Sequence, residues 1–542
     1  MESWTLPYYE ENTEHCQQLL KDRKILEQIP LLNELRECNA YNNKMVRFKG
    51  MIQNILDPVY YIEKLEIFNK EKNTILLRSG KYRDTIHLEK NEEILQDSIE
   101  KTYKEKYIMH CVEVPGLNSW TKEFKYVNEQ SCLLFKDGKR KTDDRQCMNL
   151  DMDSKDLELK NCNKKLFVGN ATQNHVNTEY NYTLTDACLN NDAPPSLSYV
   201  MKDVHTVILN MYDYEDCSLK VNDLIEAIGF LNFNLSCENS DEEEIVYLTH
   251  LPTVHVIYFI SNTSVFDNIL KLHKEYIFEN AGNLRDDLWL ILTDILMGDT
   301  LAADYLLCHL ISTIYSHKDT FALGKFSLNL SNIPTKFEEV GYVSSLYTIL
   351  THLVEKSLYI PITIPYLNNT VMIPKKINGQ NRLITGLLQV SSKTHIVIDE
   401  TKLEPGTLMD TGIQNVQALS NVINSQKVEY DFEFYKLPFM TDVSVLILSG
   451  GKSLLPSDYH IILDPDESCV HSFNESHSRV WKKMIDPVLS KLRVYIGIIS
   501  SLDYDLTSSM QNVIEDDYVN MRQHLDNNIT SDDLHRLLIL SR

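Results

Sequence analysis

Residues 394–400 read THIVIDE, a short apolar run that ends in two acids, Asp399 and Glu400. Comparable apolar runs follow, VSVLIL at 443–448 and YHIIL at 459–463, with helix-like spacing ahead of them. Strands that alternate with helical segments are typical of an α/β layer built on a largely parallel sheet. The sequence therefore predicts an α/β domain in the C-terminal half of the chain.

The flanking composition sets the limits of this domain. An acidic linker over 236–252 precedes it, and we expect its first strand at His255–Ile260. The α/β domain is then predicted to cover residues 253–504. Residues 505–542 carry helical spacing with Thr530 as an N-cap, which predicts a C-terminal helical lid.

The N-terminal half combines a helical start with a strand-rich region. Residues 1–40 carry helix-like spacing, and period-two strand patterns fill 41–130 and return over 196–235. The intervening residues 131–195 are rich in Asp, Asn, Thr and Lys and cannot bury enough apolar surface to offset their chain entropy. We predict a disordered charged linker there, inserted into one small barrel of the oligonucleotide/oligosaccharide-binding (OB) type. The fold class is thus α+β and α/β, in several domains.

Composition bears on the partners of the chain. Its 542 residues leave room for about two to four domains, and a hydrophobic fraction of 43% is ordinary for a globular protein. The formal net charge is −24, from 53 basic and 77 acidic residues. Binding to a phosphate backbone depends on Lys and Arg displacing counterions, so this balance gives no general basis for it. A local basic groove could still bind nucleic acid, but for so acidic a chain we expect a protein partner.

Targeting and metal signals are sparse. The first residues lack the charged and apolar regions of a signal peptide, and no apolar run of about 18 residues predicts a membrane span. The 11 cysteines contain no CxxC pair, so we expect free thiols in a reducing compartment and no zinc ribbon. Lys139, Arg140 and Lys141 fit either a nuclear-import patch or a solvated charge run.

The THIVIDE run has the form of a Walker B strand. In such a strand the Asp holds Mg²⁺ through water and the Glu polarises the attacking water. Any buried strand can also end in solvated acids, so both interpretations stay open for Asp399 and Glu400. A working site would also need a phosphate cradle upstream, with a lysine for the phosphates.

The upstream candidate for that cradle is residues 297–307, MGDTLAADYLL. Asp304 stands where the lysine should be, and Tyr305 replaces the small hydroxyl that would bind Mg²⁺. A carboxylate repels triphosphate, so this position opposes ATP. An ordinary helix start, capped by Asp299 or Thr300, describes the segment better.

Other motifs favour packing over chemistry. SGGKS at 449–453 lacks the first glycine of a phosphate loop, because Leu446 stands there, and we interpret it as a glycine turn. His309 and His352 lie on apolar faces and are interpreted as core residues. Five aromatic residues near the predicted barrel could stack bases, although we favour packing or protein contact: Tyr60, Tyr61, Trp120, Phe124 and Tyr126.

Short phrases in a fixed order carry a resemblance to a known family. They are Val46–Gln53, Asp57-Pro58, Gly80–Asp84, Val114–Gly116 with Trp120, Lys220–Asp223, Gly298–Phe326, Asn381–Glu400, Gln426–Phe432, Ser453–Pro456 and Thr530–Leu538. In this order the chain resembles the family of mini-chromosome maintenance (MCM) complex-binding proteins over most of its length, with the linker at 131–195 not covered in detail.

This family is distantly similar to the replicative helicase subunits. The resemblance implies a degenerate AAA+-like domain, with its Walker A loop at Gly298–Leu307 and its Walker B strand at Ile396–Glu400. Both Walker B acids are kept, but the other implied phosphate contacts are lost. The changed positions are Asp304 and Tyr305 for the lysine and serine, Ser449-Gly450 for the sensor asparagine, Ser457-Asp458 for the arginine finger and Asp532 for the lid arginine.

The resemblance implies a nuclear, non-enzymatic partner or chaperone of the MCM helicase subunits. It would regulate assembly or unloading of the MCM complex in DNA replication and sister-chromatid cohesion, with indirect chromatin association. It implies no catalytic residue, cofactor, metal, membrane contact or strong direct nucleic-acid binding. Two alternatives stay open: a cryptic ATPase that uses Asp399 and Glu400 with a partner subunit, and a single-stranded nucleic-acid binder that uses the barrel aromatics.

Overall fold

A computed structural model shows the parts of the chain on which the fold rests. It describes residues 4–35, 38–71, 73–86, 88, 91–95, 101–123, 206–212, 219–232, 251–261, 267–318, 321–334, 341–377, 382–466, 469, 473–485, 487–502, 508–524 and 530–541. The linker predicted over 131–195 and the import candidate Lys139–Lys141 lie outside the described residues.

The strand-rich half forms one eight-stranded sheet. Its strands are β1 (Met45–Ile55), β2 (Val59–Asn69), β3 (Thr74–Ser79), β4 (Glu92–Ile94), β5 (Thr102–Val112), β6 (Thr206–Tyr212), β7 (Leu224–Asn232) and β8 (Thr253–Ser261). β1 pairs with both β5 and β7, β7 with β8, β8 with β6, and β6 with β5, so these five strands pair in a closed ring. Among these pairs only β6–β8 is parallel. β2 leaves the ring beside β5 and carries β3 and β4.

The strand at His255–Ile260 is present, but it does not start the parallel sheet. As part of β8 it pairs with β6 and β7, and Val254 and Val256 enter the core shared with Phe48 and Leu209. An apolar sequence pattern identifies a strand but does not specify which strand it pairs with, since it can be buried in either sheet. This corrects our assignment of that strand to the α/β layer.

Short helices precede β1, as the spacing over 1–40 predicted. They are α1 (Leu6–Glu11), α2 (Thr13–Leu19) and α3 (Arg23–Leu26), followed by 3₁₀ turns at Leu32–Glu34 and Cys38–Tyr41. Tyr9, Leu20 and Leu26 pack with Ile228 and Phe230 of β7. Hydrophobic burial therefore ties this segment to one side of the ring. A further short helix, α4, covers Trp120–Glu123.

The C-terminal half contains the predicted parallel sheet. Its elements are α5 (Asp267–Glu279), α6 (Ala281–Ile295), α7 (Thr300–Ile311), β9 (Ser316–Lys318), β10 (Phe321–Leu323), β11 (Leu328–Ser331), α8 (Tyr342–Leu353), β12 (Ser357–Pro361), α9 (Ile364–Asn369), β13 (Lys375–Ile377), β14 (Arg382–Ile384), β15 (Thr394–Asp399), α10 (Asp410–Ser425), β16 (Lys427–Asp431), β17 (Lys436–Met440), β18 (Val443–Leu448), β19 (Tyr459–Ile462), α11 (Phe473–Lys483), α12 (Val488–Ile499), α13 (Ser508–His524) and α14 (Ser531–Ser541). Five strands lie in the order β12-β15-β18-β11-β19, all parallel.

A second sheet of four short strands lies in the order β14-β13-β16-β17. Leu419 and Val422 of α10 share one core with Ile398 of β15 and with Val428 and Tyr430 of β16. This core fixes the carboxyl end of β15 between the two sheets.

The described C-terminal residues form two helices, α13 and α14, as their spacing predicted. Thr530 caps α14, because its Oγ1 accepts a hydrogen bond from Asp533 N at 3.3 Å while Thr530 N donates to Asp533 Oδ2 at 3.0 Å. Tyr459 of β19 donates its hydroxyl to Arg536 O at 2.7 Å, which attaches α14 to the sheet edge. In the described part of the chain, no helix has the length and hydropathy to cross a membrane.

Candidate functional site

Asp399 lies at the carboxyl end of β15 with its side chain fully buried. Its Oδ2 accepts a hydrogen bond from the Tyr359 hydroxyl of β12, and its Oδ1 accepts from Thr401 N at 2.9 Å and Thr401 Oγ1 at 2.6 Å. Lys402 Nζ lies 3.8 Å from Oδ2. A carboxylate offers about four lone-pair directions. Hydrogen bonds from Tyr359 and Thr401 take three of these directions, so Asp399 fastens the strand end to its surroundings.

Glu400 braces the loop that follows β18. Its Oε1 accepts a hydrogen bond from Ser453 Oγ at 3.1 Å, and its Oε2 accepts from Leu454 N at 3.2 Å. Burial raises the pKa of Glu400 and outweighs the hydrogen bonds from Ser453 and from the amides of Leu454 and Leu455, which lower it. A raised pKa suits a general base, but both oxygens are engaged by the loop.

A small cavity of about 230 Å³ opens beside Glu400. It is lined by Glu400, Thr401, Leu403, Ser449, Gly450, Gly451 and Lys452. Pockets that enclose small ligands measure roughly 300–1,000 Å³, so this one is too small to enclose a nucleoside triphosphate. The SGGKS segment passes through a loop into β19 with no helix in between, which confirms the glycine turn.

The Walker A assignment at Gly298–Leu307 is wrong. A phosphate loop connects a strand to a helix, whereas this segment connects α6 to α7 through a turn in which Gly298 has φ +90°. Asp299 caps α7: its Oδ1 accepts from Ala302 N at 2.9 Å and its Oδ2 from Asp464 N at 3.0 Å. The predicted capping role of Asp299 is confirmed.

Asp304 and Tyr305 are not brought to Asp399. Asp304 pairs with Arg285 across an Oδ1–Nη2 distance of 3.5 Å, and Tyr305 packs beside Tyr459, with ring centroids 5.8 Å apart. The start of α7 is held next to the end of β19, which is three strand spacings from β15. At about 4.8 Å per spacing this is roughly 14 Å. The two halves of the expected pocket therefore lie apart.

The other implied positions are also dispersed. Ser449 Oγ lies 3.0 Å from Asn329 Oδ1, so an asparagine of β11 stands beside the place where the sensor residue was expected. Asp458 precedes β19 at the amino end of the sheet and accepts from Lys325 Nζ at 2.7 Å. Asp532 lies in the first turn of α14. Among the residues that the structure describes, no cluster of three or more His, Cys, Asp or Glu could hold a metal ion.

Comparison with known proteins bears on the family. A family model described as "Mini-chromosome maintenance replisome factor" matches residues 16–542. The chain belongs to this family. Among curated proteins, it is similar to the mini-chromosome maintenance complex-binding protein of Homo sapiens, with 32% identity over 98% of this chain and 88% of that protein. The proteins of that name from Mus musculus and Drosophila melanogaster are 32% and 31% identical, over 98% and 97% of this chain and 88% and 89% of theirs.

In this replisome-factor family member, two of the three aromatic candidates that the structure describes serve packing. Trp120 is only 7% exposed, its Nε1 donates to Thr351 O at 2.9 Å, and the Arg493 guanidinium lies 4.0 Å from its ring centre. Tyr61 is buried, while Tyr60 is 68% exposed. Burial removes the ring faces that base stacking requires. The other two candidates, Phe124 and Tyr126, lie outside the described residues.

A contact that sequence analysis missed joins the two halves of this family member. Ser357 N donates to Gly116 O at 2.8 Å, and Asn118 Nδ2 donates to Val354 O at 2.8 Å. Gly116 has φ +70°, and a Cβ there would lie 2.6 Å from Ser357 O, so only glycine fits. The Pro115-Gly116 turn was visible in the sequence, but nothing in the spacing named its partner on β12.

Proposed function

We propose that this chain is a non-catalytic binding partner of the MCM helicase subunits. The observation that carries the proposal is the internal use of both acids at the end of β15, Asp399 by Tyr359 and Thr401, and Glu400 by the loop after β18. The curated relatives are named for binding the MCM complex. A scaffold whose acids hold its own fold can offer protein surfaces without turnover.

A degenerate AAA+-like core is supported by strand order. Numbered one to five along the chain, β11, β12, β15, β18 and β19 lie side by side as 2-3-4-1-5, the order of the AAA+ core. In that core the phosphate loop follows the first strand, so its counterpart here is residues 332–341. They read NIPTKFEEVG and lack the GxxxxGK[ST] pattern that cradles phosphates. Loss of the cradle is thus proposed at a different place from Gly298–Leu307.

An OB-like barrel is supported by the ring of pairings. Taken along the chain, β1, β5, β6, β7 and β8 close as 1-2-3-5-4-1, with strands three and five parallel. This is the strand order of five-stranded Greek-key OB barrels. In this interpretation β2, β3 and β4 form an insertion after the first strand.

We propose nuclear localisation and a role in assembling or unloading the MCM complex during DNA replication and sister-chromatid cohesion. Chromatin association would then be indirect, through the helicase subunits, which the net charge of −24 supports because phosphate backbones repel such a chain. Lys139, Arg140 and Lys141 are the import candidate. Imaging the chain with all three changed to Ala tests that candidate: a cytoplasmic shift supports it, and unchanged nuclear signal contradicts it.

Binding to purified subunits tests the main proposal. Each MCM subunit from the same organism is titrated into the purified chain without nucleotide, and complexes are sized by light scattering after gel filtration. We expect at least one subunit to form a stoichiometric complex. No complex with any single subunit or with the assembled MCM complex would overturn the proposal.

Calorimetry with Mg-ATP separates this proposal from a cryptic ATPase. Because residues 332–341 lack the phosphate-loop pattern and the cavity beside Glu400 measures about 230 Å³, we expect no measurable binding of the nucleotide to the chain alone. The titration is repeated on the chain bound to its subunit, with the subunit alone as the control. Micromolar binding that disappears in Asp399→Ala would favour the ATPase.

A further inference from the structure

The hairpin formed by β16 and β17 holds an aromatic ring out in solvent. Phe434 at its tip is 85% exposed, the largest exposure of any large hydrophobic side chain among the described residues. Tyr435 and Leu437 beside it are 56% and 43% exposed. Single exposed apolar residues are common, but here three lie within four residues of one hairpin.

The turn that presents Phe434 is fixed by its own contacts. Asp431 Oδ1 accepts a hydrogen bond from Glu433 N at 2.8 Å, and Phe432 N donates to Tyr435 O at 2.9 Å. The rings of Phe432 and Tyr435 stack with centroids 5.2 Å apart and planes 11° from parallel. Glu433 takes φ +65°, a conformation that is costly for a side chain other than glycine. The turn is therefore held in one shape with Phe434 pointing outward.

The hairpin is also firmly attached to the molecule. Tyr430 of β16 is buried and lies 4.2 Å, between ring centroids, from Phe439 of β17. Tyr430 and Val428 belong to the core that also contains the end of β15. A rigid element that already has its bound shape loses little freedom on binding, which favours affinity.

Charge limits what could cover the tip. Asp431 and Glu433 are acidic, and the one nearby cation on the hairpin, Lys436, lies 3.8 Å from Glu429. The exposed rings of Phe434 and Tyr435 therefore have no net positive charge beside them on this hairpin. Single-stranded nucleic acid is bound by rings beside cations, which argues against it here. A second copy of the chain would bring another net charge of −24, and the two copies would repel each other.

We propose that the hairpin tip, residues 431–437, docks into an apolar pocket with a basic rim on a partner protein, and that Phe434 is the anchor. Aromatic residues seated in such pockets carry most of the binding energy of many interfaces. The partner is taken to be an MCM subunit, and this part rests on the proposed function. The tip thus supplies the contact surface that the proposed function leaves unassigned.

Titration of a purified MCM subunit tests the anchor. The subunit that forms a complex with the wild-type chain is titrated into Phe434→Ala and into Tyr60→Ala, a matched control with a 68% exposed aromatic ring on β2. We expect Phe434→Ala to raise Kd at least about tenfold, with an unchanged melting temperature, and Tyr60→Ala to stay within about twofold. Glu433→Gln should weaken binding less than Phe434→Ala does. Its effect should be larger at low salt than at high salt, because salt screens the attraction between Glu433 and the basic rim.

Each other result overturns the docking proposal. Equal Kd for wild type and Phe434→Ala would leave the proposed function standing and remove the tip from it. A fluorescent 20-nucleotide oligo-dT that binds the wild type and not Phe434→Ala would assign the tip to single strands. Dimerisation that Phe434→Ala abolishes, seen by sedimentation, would assign it to a second copy. If no subunit binds the wild type, both the proposed function and the docking proposal fail.

Discussion

The hydroxyl of Tyr359 on β12 donates a hydrogen bond to the carboxylate of Asp399 on β15. Burial, and then the Asp399 carboxylate itself, raise the pKa of Tyr359, so the hydroxyl keeps its proton at neutral pH. The two strands are paired in parallel, with Pro361 opposite Asp399, and the bond crosses between them. Asp399 has the position of a catalytic acid at a strand end, but in this structure its carboxylate links β15 to β12.

Removing this acid should cost stability. Asp399→Ala leaves the Tyr359 hydroxyl and the Thr401 hydroxyl and amide without their acceptor, so we expect the free energy of unfolding to fall by about 2–4 kcal/mol. Urea unfolding followed by tryptophan fluorescence measures the change. Glu404→Ala, an exposed acid five residues further on, is the control and should change stability by less than about 0.5 kcal/mol. Equal stability of the two variants would contradict the structural role.

Trp120 should be needed to hold the two halves together. Trp120→Ala removes a buried ring, its hydrogen bond to Thr351 O and its contact with Arg493, and we expect a loss of about 3–5 kcal/mol. The unfolding curve should also separate into two transitions, because the contact joins the strand-rich half to the parallel sheet. Tyr60→Ala, with an exposed ring, should leave the curve unchanged. A single unshifted transition in Trp120→Ala would show that the contact is dispensable.

Glu226 should anchor the N-terminal helices. Its buried carboxylate lies 2.7 Å from Arg23 Nη1, 3.1 Å from Arg47 Nη1 and 3.4 Å from Lys49 Nζ. Burial raises the pKa of Glu226, but Lys49, Arg23 and Arg47 together outweigh it and hold the pKa below its usual value. We expect Glu226→Gln to cost about 2–4 kcal/mol, less than a fully buried pair because Arg23 and Lys49 reach solvent.

Limited proteolysis and acid titration check that prediction. Glu226→Gln should speed cleavage within residues 4–29, whereas Glu27→Gln, which pairs with Arg23 on the surface at 3.6 Å, should not. Because the pKa of Glu226 is lower in the folded chain, its contribution is complete above pH of about 4.3 and is lost as pH falls further. Unchanged cleavage in Glu226→Gln would contradict the anchoring role.

Two buried histidines should make the parallel-sheet half sensitive to acid. Burial lowers the pKa of His309 to about 4 and that of His395 to about 3, the latter with help from His309 and Lys356. An unfolded histidine has a pKa of about 6.5, so the unfolded chain binds more protons and stability falls below that pH. Each histidine should cost about 1.4 kcal/mol per pH unit between about pH 6 and 4.5.

His395→Gln isolates this effect. Burial raises the pKa of Asp442 and Glu400, so these two acids raise stability as pH falls, opposite to the histidines. The quantity to measure is therefore the difference in unfolding free energy between variant and wild type. Urea unfolding at several pH values should give a shallower decline for the variant. His352→Gln, with a partly exposed ring, is the control. Parallel curves for wild type and His395→Gln would contradict the assignment.

Local pattern predicted the strands well. The apolar runs at 394–399, 443–448 and 459–462 form β15, β18 and β19, and the period-two runs near Val46 and Tyr107 form β1 and β5. Pairing was harder, because a strand pattern does not specify its neighbour. The strand near His255 was expected in the parallel sheet and joins β6 and β7 instead.

The candidate site shows the same limit. The acids at 399 and 400 were found from spacing, but their partners Tyr359 and Ser453 lie 40 and 53 residues away and come from a neighbouring strand and a loop. The phosphate loop was assigned to the segment beginning at Gly298 from local sequence similarity alone, although a helix and not a strand precedes that segment. The proposed counterpart at 332–341 is recognised only from the order of the strands.

Sedimentation velocity of the purified chain mixed with purified subunits in nucleotide-free buffer shows whether this chain binds MCM subunits without using nucleotide. We expect a stoichiometric complex whose amount is the same for the wild type and for the double variant Asp399→Asn, Glu400→Gln. Absence of a complex, or a complex that forms only with Mg-ATP and is lost in that variant, would contradict this expectation.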